Sequence, residues 1–402
     1  METFVVKEKT TVYEKIFVFW IIMFPCLIAY RTNSFQSFMV GDIGLFTIMI
    51  VLLFKLETRF KTFSPAVLML AVSLLWLPMN CMVGIEGLLR FLRYLFSMFV
   101  VAVYVPSFFK YQVVLPILKA MAVISALFIT LQFALGTFFD FYLSGTLPFW
   151  EMSASVEVDL DINGRITNIG RFRGFFPEPG YIAIFLVLAL TCSLSVKKSK
   201  LSEYLPELIM TIGILVSKST AGLGLLAIVW LYWLVVSNKT KWLLIFFAVP
   251  ILVFVEMQFG FVEHAFNRGL MLTDGSVQFG KAAIGRIGNF TSSFEVKNLT
   301  MLQIIFGQGM SSLETFVSGY PKAFIYFGVF GIVFFPLVYV YLLFKTRGYA
   351  RLLTACLIIN NFFSDVMFGI GPIMYLPYVI VLSQQNSKFS IGGSSFEYIS
   401  FD

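Results

Sequence analysis

The 402-residue chain is poor in charge, in histidine and in clustered cysteine, and each shortage excludes a class of protein. Asp, Glu, Lys and Arg make up 13% of it, against roughly 25% in soluble domains, while 59% is hydrophobic. A disordered, collagen-like or disulfide-stapled secreted chain is therefore excluded. One histidine, His264, cannot build a multi-histidine metal site or bis-histidine haem ligation. Cys26, Cys81, Cys192 and Cys356 stand far apart in apolar stretches with no Cys-x-x-Cys, so they read as small apolar packing residues. No P-loop occurs and the short loops leave no room for a motor domain, which excludes an ATP-driven machine within this chain. No internal repeat is apparent.

What is present is apolar sequence of membrane-spanning length, with a mean hydropathy of +0.88. A helix crosses the hydrocarbon core with about 17–25 mostly apolar residues. Segments of this kind lie near 15–30, 38–54, 63–79, 84–105, 112–137, 178–195, 201–217, 220–237, 242–259, 323–344, 348–364 and 366–383. The first follows Lys7 and Lys9 and lacks a small-x-small cleavage pattern, so it reads as a retained span. The expectation is one all-α polytopic membrane domain over residues 1–402, with about 12 transmembrane helices. Both termini then share a side, with 384–402 as a short cytoplasmic tail.

Basic residues near span ends resist translocation and so report orientation. Threading the twelve segments puts 17 Lys and Arg on one side and 12 on the other, which makes the first side cytoplasmic. The two groups differ in kind: the cytoplasmic one holds 14 Lys and 3 Arg, the outer one 8 Arg and 4 Lys. Lysine suffices to anchor topology. An arginine-rich outer face points to a flat anion, because guanidinium offers forked donors that match phosphate or carboxylate.

Two stretches on that face, 138–177 and 260–322, are far longer than ordinary turns and neither is low in complexity, which marks them as functional loops. The first holds Arg165, Arg171 and Arg173 and runs into Phe175-Phe176-Pro177-Glu178-Pro179-Gly180-Tyr181. The second holds His264, Arg268 and Arg286 and closes on Phe306-Gly307-Gln308-Gly309.

The ordered set of motifs resembles the O-antigen polymerase (Wzy-type) and O-antigen ligase superfamily of bacterial inner membranes. It comprises Arg-x-Arg-Gly-Phe-Phe-x-Glu-Pro-Gly-Tyr over 171–181, Ser-x-Ser-x-x-Gly from Ser217 to Gly222, and Gly285-Arg286-Ile287. Phe306-Gly307-Gln308-Gly309 and Tyr326-Phe327-Gly328-Val329-Phe330-Gly331 complete it. The resemblance covers roughly residues 165–345. It implies a GT-C-like glycosyltransferase architecture and transfer of a glycan from an undecaprenyl-diphosphate carrier on the periplasmic face, with no metal, cofactor or nucleotide sugar. It also implies membrane lipids, a chain-length regulator and a flippase of the same pathway as partners, and no nucleic acid. Ligase members carry a His-Asn where this chain has Val317-Ser318-Gly319-Tyr320, which favours the polymerase.

The residue chemistry agrees with that class. A departing diphosphate gains charge that fixed arginines can stabilise, and the acceptor hydroxyl needs a base or an oriented acceptor. Arg173 and Arg286 are the catalytic cations expected and Glu178 the catalytic carboxylate. Arg165, Arg171, Arg268, Arg90, Arg93 and His264 are expected to bind substrate, with Glu314 a further carboxylate. Each has a plainer reading. Arg90 and Arg93 lie on one face near a span end, where arginines anchor to lipid phosphates. Glu178 between two prolines is an ordinary helix start, and His264 fits a surface or packing position.

Asp159-Leu-Asp161-Ile-Asn163-Gly164 opens like a calcium loop, but its twelfth position is Gly170, so a solvated turn is expected. Ala221-Gly222-Leu223-Gly224 opens an apolar span and reads as close helix packing. Phe149, Trp150, Phe172, Phe175 and Phe176 could flank a sugar or a prenyl chain. Two other classes fit the composition: a lipid-linked oligosaccharide flippase or other secondary transporter, and a non-catalytic partner of an export complex. A transporter would spread charge through its spans, show internal symmetry and keep its loops short.

Overall fold

Thr11 opens the first helix: its hydroxyl accepts the Glu14 N–H, while the Glu14 carboxylate accepts the Thr11 N–H. This capping box satisfies two donors that a helix start otherwise leaves bare. A computed structural model of the chain describes residues 11–28, 30–32, 35–53, 62–141, 143–146, 151–152, 172–198, 200–236, 260, 270–273, 276–279, 299–310, 317–362, 364–365, 368 and 371–387. The helices are α1 (Val12–Leu27), α2 (Val40–Leu53), α3 (Ser64–Val83), α4 (Ile85–Phe108) and α5 (Tyr111–Phe138). There follow α6 (Pro179–Leu194), α7 (Leu205–Val216), α8 (Thr220–Val236) and the short α9 (Met301–Phe306). The last are α10 (Gly319–Lys345), α11 (Gly348–Asn360) and α12 (Gly371–Ser387).

All of these helices but α9, which lies in the second long loop, fall on expected segments, eleven of the twelve; 242–259 lies outside the described residues. Among the described residues, α3, α4, α5 and α10 are long and apolar enough to cross a membrane, and α6, α8 and α11 are shorter apolar helices. Large apolar side chains on the helix exteriors stay exposed, among them Leu127, Leu131, Leu231, Leu337 and Val340. Water would penalise such a surface and lipid does not, so the chain is a membrane protein. In contrast, α6 is buried on nearly every side, as is α12 from Ile373 to Leu382. A helix that is hydrophobic all round belongs in the middle of its bundle. Accordingly α6 packs against α5, α7, α8 and α12, and α12 reaches α1, α4 and α5.

The all-helical expectation holds for the bundle and fails only in its connections. Two small antiparallel sheets are present: β1 (Tyr30–Thr32) pairs with β2 (Phe35–Met39) and with β3 (Glu151–Met152), and β4 (Leu270–Thr273) pairs with β5 (Ser276–Phe279). They lie in the connections, where apolar periodicity carries no signal. The cysteine expectation also fails once, since Cys26, Cys192 and Cys356 are buried but Cys81 is exposed on α3.

Helix α10 is interrupted in mid-course. Gly328 has φ +69° and ψ −163°, which breaks the ladder and frees carbonyls of the preceding turn. Other donors take them: the Gln308 N–H bonds to the Ile325 carbonyl at 2.6 Å, and the Trp76 indole N–H to the Phe327 carbonyl at 3.2 Å. In a membrane an unpaired backbone group costs several kcal/mol, about the full desolvation penalty, so the break requires these partners. Gly307 and Gly309, both with positive φ, let the turn after α9 approach closely, and Asn80 on α3 accepts the Met310 N–H at 2.7 Å.

Candidate functional site

Both long loops attach at one end of the bundle, where α5 ends and α6 and α10 begin. The stems of the first loop are tied down by side chains that the sequence reading passed over. Gln132 on α5 donates to the Leu143 carbonyl and accepts the Gly174 N–H, each at 2.9 Å. The Tyr30 hydroxyl donates to the Gly145 carbonyl, and the Cys26 thiol to the Phe175 carbonyl. A Cβ on Gly145 would fall on the Gly174 carbonyl oxygen, so the two stems cross where position 145 cannot carry a side chain.

Arg173 is 7% exposed, and its guanidinium donates to the Phe176 carbonyl at 2.8 Å. Burial lowers its pKa from the ordinary arginine range, and the nearby Tyr30 and Cys26 oppose that fall. It therefore shapes the turn that delivers Glu178. Phe172, Phe175 and Phe176 do not line an open cleft: Phe172 meets Phe133 edge-on, Phe175 stacks on Phe128 at 3.9 Å, and Phe176 is buried against Phe185. Phe172 and Phe176 are thus packing residues, Phe175 is half-buried, and Phe149 and Trp150 lie outside the described residues.

Glu178 occupies the N-cap of α6 with extended backbone, followed by Pro179 at the first helical position. Its carboxylate is exposed and makes no capping bond to the helix, while its carbonyl accepts from Tyr181 and Ile182. The plainer reading of a helix start thus describes its backbone.

Arg90 and Arg93 are engaged within the protein. Arg93 pairs with Asp42 at 2.9 Å, and the second Asp42 oxygen accepts the Met39 N–H at the start of α2. Arg90 pairs with Glu86 one turn earlier at 2.6 Å, and its charge reaches the Tyr326 hydroxyl. Tyr326 belongs to the motif that holds the Gly328 break, so Arg90 joins α4 to α10.

Beside Tyr326 stands a pair absent from the expected site. Lys322, in the first turn of α10, pairs with Asp365 at 2.8 Å, and its ammonium lies 5.7 Å from the centre of the Tyr326 ring. Asp365 sits between α11 and α12 and its other oxygen accepts the Phe368 N–H at 3.1 Å. Tyr181, in the first turn of α6, feels the charges of Glu178, Lys322 and Asp365 together. Residues from α4, α6, α10 and the turn before α12 therefore share one polar cluster. Its signal in the sequence is a lone carboxylate between the apolar runs 348–364 and 366–383, and Lys322 was assigned to the loop because α10 begins at Gly319, earlier than hydropathy places it.

At the opposite end Lys198 pairs with Glu207, which also accepts from Ser193, with the Tyr204 ring 4.8 Å from the ammonium. Gly222, in the serine-glycine motif, leaves room only for Ala183 of α6, so it serves close packing as expected. Arg165, Arg171, Arg268, Arg286, His264, Glu314 and the Asp159–Gly164 stretch lie outside the described residues. No protein-family model, curated protein or solved structure matches this chain.

Proposed function

We propose that this membrane protein joins undecaprenyl-diphosphate-linked oligosaccharide repeat units into a surface polysaccharide of O-antigen or capsular type. It does so as a metal-independent glycosyltransferase of twelve spans and GT-C-like architecture, at the periplasmic face of the inner membrane. Arg173 and Arg286 stabilise the departing diphosphate, and Arg90, Arg93, Arg165, Arg171, Arg268 and His264 hold the lipid-linked substrates. The observation that carries the reading is a convergence. Tyr181 from the 171–181 motif, itself beside Glu178, and Tyr326 from the 326–331 motif both come within electrostatic reach of one ion pair at the loop-bearing end. Motifs with no shared chemistry have no reason to meet there. The arginine-rich composition of the outer loops supports an anionic substrate.

Deletion of the gene tests the reading in the cell. The expected outcome is one repeat unit on the terminal lipid in place of a ladder of lengths. Unflipped units accumulating in the inner leaflet would identify a flippase, and a full ladder retained on the undecaprenyl carrier would identify a ligase.

A further inference from the structure

Glycosyl transfer needs a group that receives the acceptor proton, and the described part of the cluster offers two carboxylates for it. Glu178 is exposed at a helix start. Asp365 is different in three respects. Its side chain is 18% exposed, enclosed yet reachable. Among the described residues each oxygen is held by one donor, Lys322 Nζ on one and the Phe368 N–H on the other, which orients the carboxylate. It is also tied to both motifs through its pair with Lys322, whose ammonium lies 5.7 Å from the Tyr326 ring and whose charge reaches Tyr181. A charged pair held among apolar helices is costly to keep, which makes it a functional candidate by default.

We propose, on the glycosyl-transfer reading above, that Asp365 is the catalytic residue that takes the proton of the acceptor sugar hydroxyl, and that Lys322 is the residue that positions it. The acceptor oxygen forms the new bond to the anomeric carbon of the donor sugar. The bond from that carbon to the diphosphate oxygen breaks, and its electron pair leaves with the undecaprenyl diphosphate. The acceptor proton passes to the Asp365 carboxylate and then to water, so no co-reactant is needed. Glu178 keeps its place as the start of α6.

The test uses the full-length protein in lipid vesicles with undecaprenyl-diphosphate-linked repeat units. Asp365→Asn is expected to lower elongation by about 10²–10⁴-fold, the usual contribution of a positioned base, while the repeat unit still stabilises the variant against heat. Lys322→Met is expected to lose elongation and Lys322→Arg to recover part of it. The charge swap Lys322→Asp/Asp365→Lys keeps an ion pair between the same elements and moves the carboxylate away. It is expected to be folded and inactive, and it decides the matter if Asp365→Asn alone does not fold. Full elongation by Asp365→Asn or by the swap would overturn the proposal and leave the glycosyl-transfer reading intact. A wild-type protein that never elongates the units would overturn both.

Discussion

Gly307 and Gly328 meet backbone against backbone: a Cβ on Gly328 would lie 2.6 Å from the Gly307 nitrogen and 2.3 Å from the Ile305 carbonyl oxygen. The turn that closes the second long loop is thereby locked into the break of α10. Both glycines also have positive φ, so a side chain at either meets conformational strain as well as a clash. Gly307→Ala and Gly328→Ala should each cost at least about 1–3 kcal/mol and sharply reduce folded protein. Gly224, on α8 with nothing within 4 Å of its would-be Cβ, is the control. Gly224→Ala should be neutral or gain up to about 1 kcal/mol from helix propensity. Thermal unfolding in detergent distinguishes the three, and equal stability would show that the interlock contributes nothing.

Arg93 and Asp42 bind α4 to the start of α2. Asp42→Asn leaves a half-buried guanidinium facing a neutral amide and should cost about 1–3 kcal/mol. Adding Arg93→Met should recover part of that loss, because removing both charges is cheaper than stranding one. A double-mutant cycle on unfolding temperature reads the coupling. Independent, additive losses would show that Asp42 does not hold Arg93, leaving its guanidinium to substrate or lipid phosphates.

Arginine and lysine differ in geometry more than in charge. If Arg173 and Arg286 stabilise a diphosphate whose charge grows during transfer, Arg173→Lys and Arg286→Lys should stay inserted and folded. Each should elongate about 100- to 1000-fold more slowly, equivalent to about 2.7–4 kcal/mol. Full-length polysaccharide from both at normal expression would leave only headgroup binding. Glu178→Gln should lose at most about 1 kcal/mol of stability and keep near-normal product, as a helix-start residue does. An inactive but stable Glu178→Gln would move the base from Asp365 to Glu178.

Topology is tested by labelling. In a background with Cys81→Ser, cysteines introduced at Ser153 and Ser292 should react with an impermeant reagent from the periplasm. Reaction only from the cytoplasm would invert the orientation drawn from the lysine and arginine division.

Much of the bundle is legible in the sequence because lipid imposes one rule, long apolar segments, and that rule survives without knowledge of neighbours. It places α1 to α8 and α10 to α12 within a few residues. Hydropathy is blind to what happens inside a span: the break at Gly328 is set by Gln308 and Trp76, both distant in sequence, and an apolar run looks the same with or without it. The site is less legible. The 171–181 and 326–331 motifs meet at one end of the bundle, but Gln132, Asp42 and Asp365 are single polar residues whose partners appear only once the helices pack. Arg173 shows the opposite case, since its motif suggested a ligand contact and its guanidinium also holds the Phe176 carbonyl.

The most direct measurement is elongation by the purified wild-type protein in vesicles that contain only undecaprenyl-diphosphate-linked repeat units, without nucleotide sugar or added metal. The account predicts a ladder of carrier-linked chains increasing by whole repeats, with undecaprenyl diphosphate released once per bond formed. Single units persisting unchanged beside folded protein would contradict it.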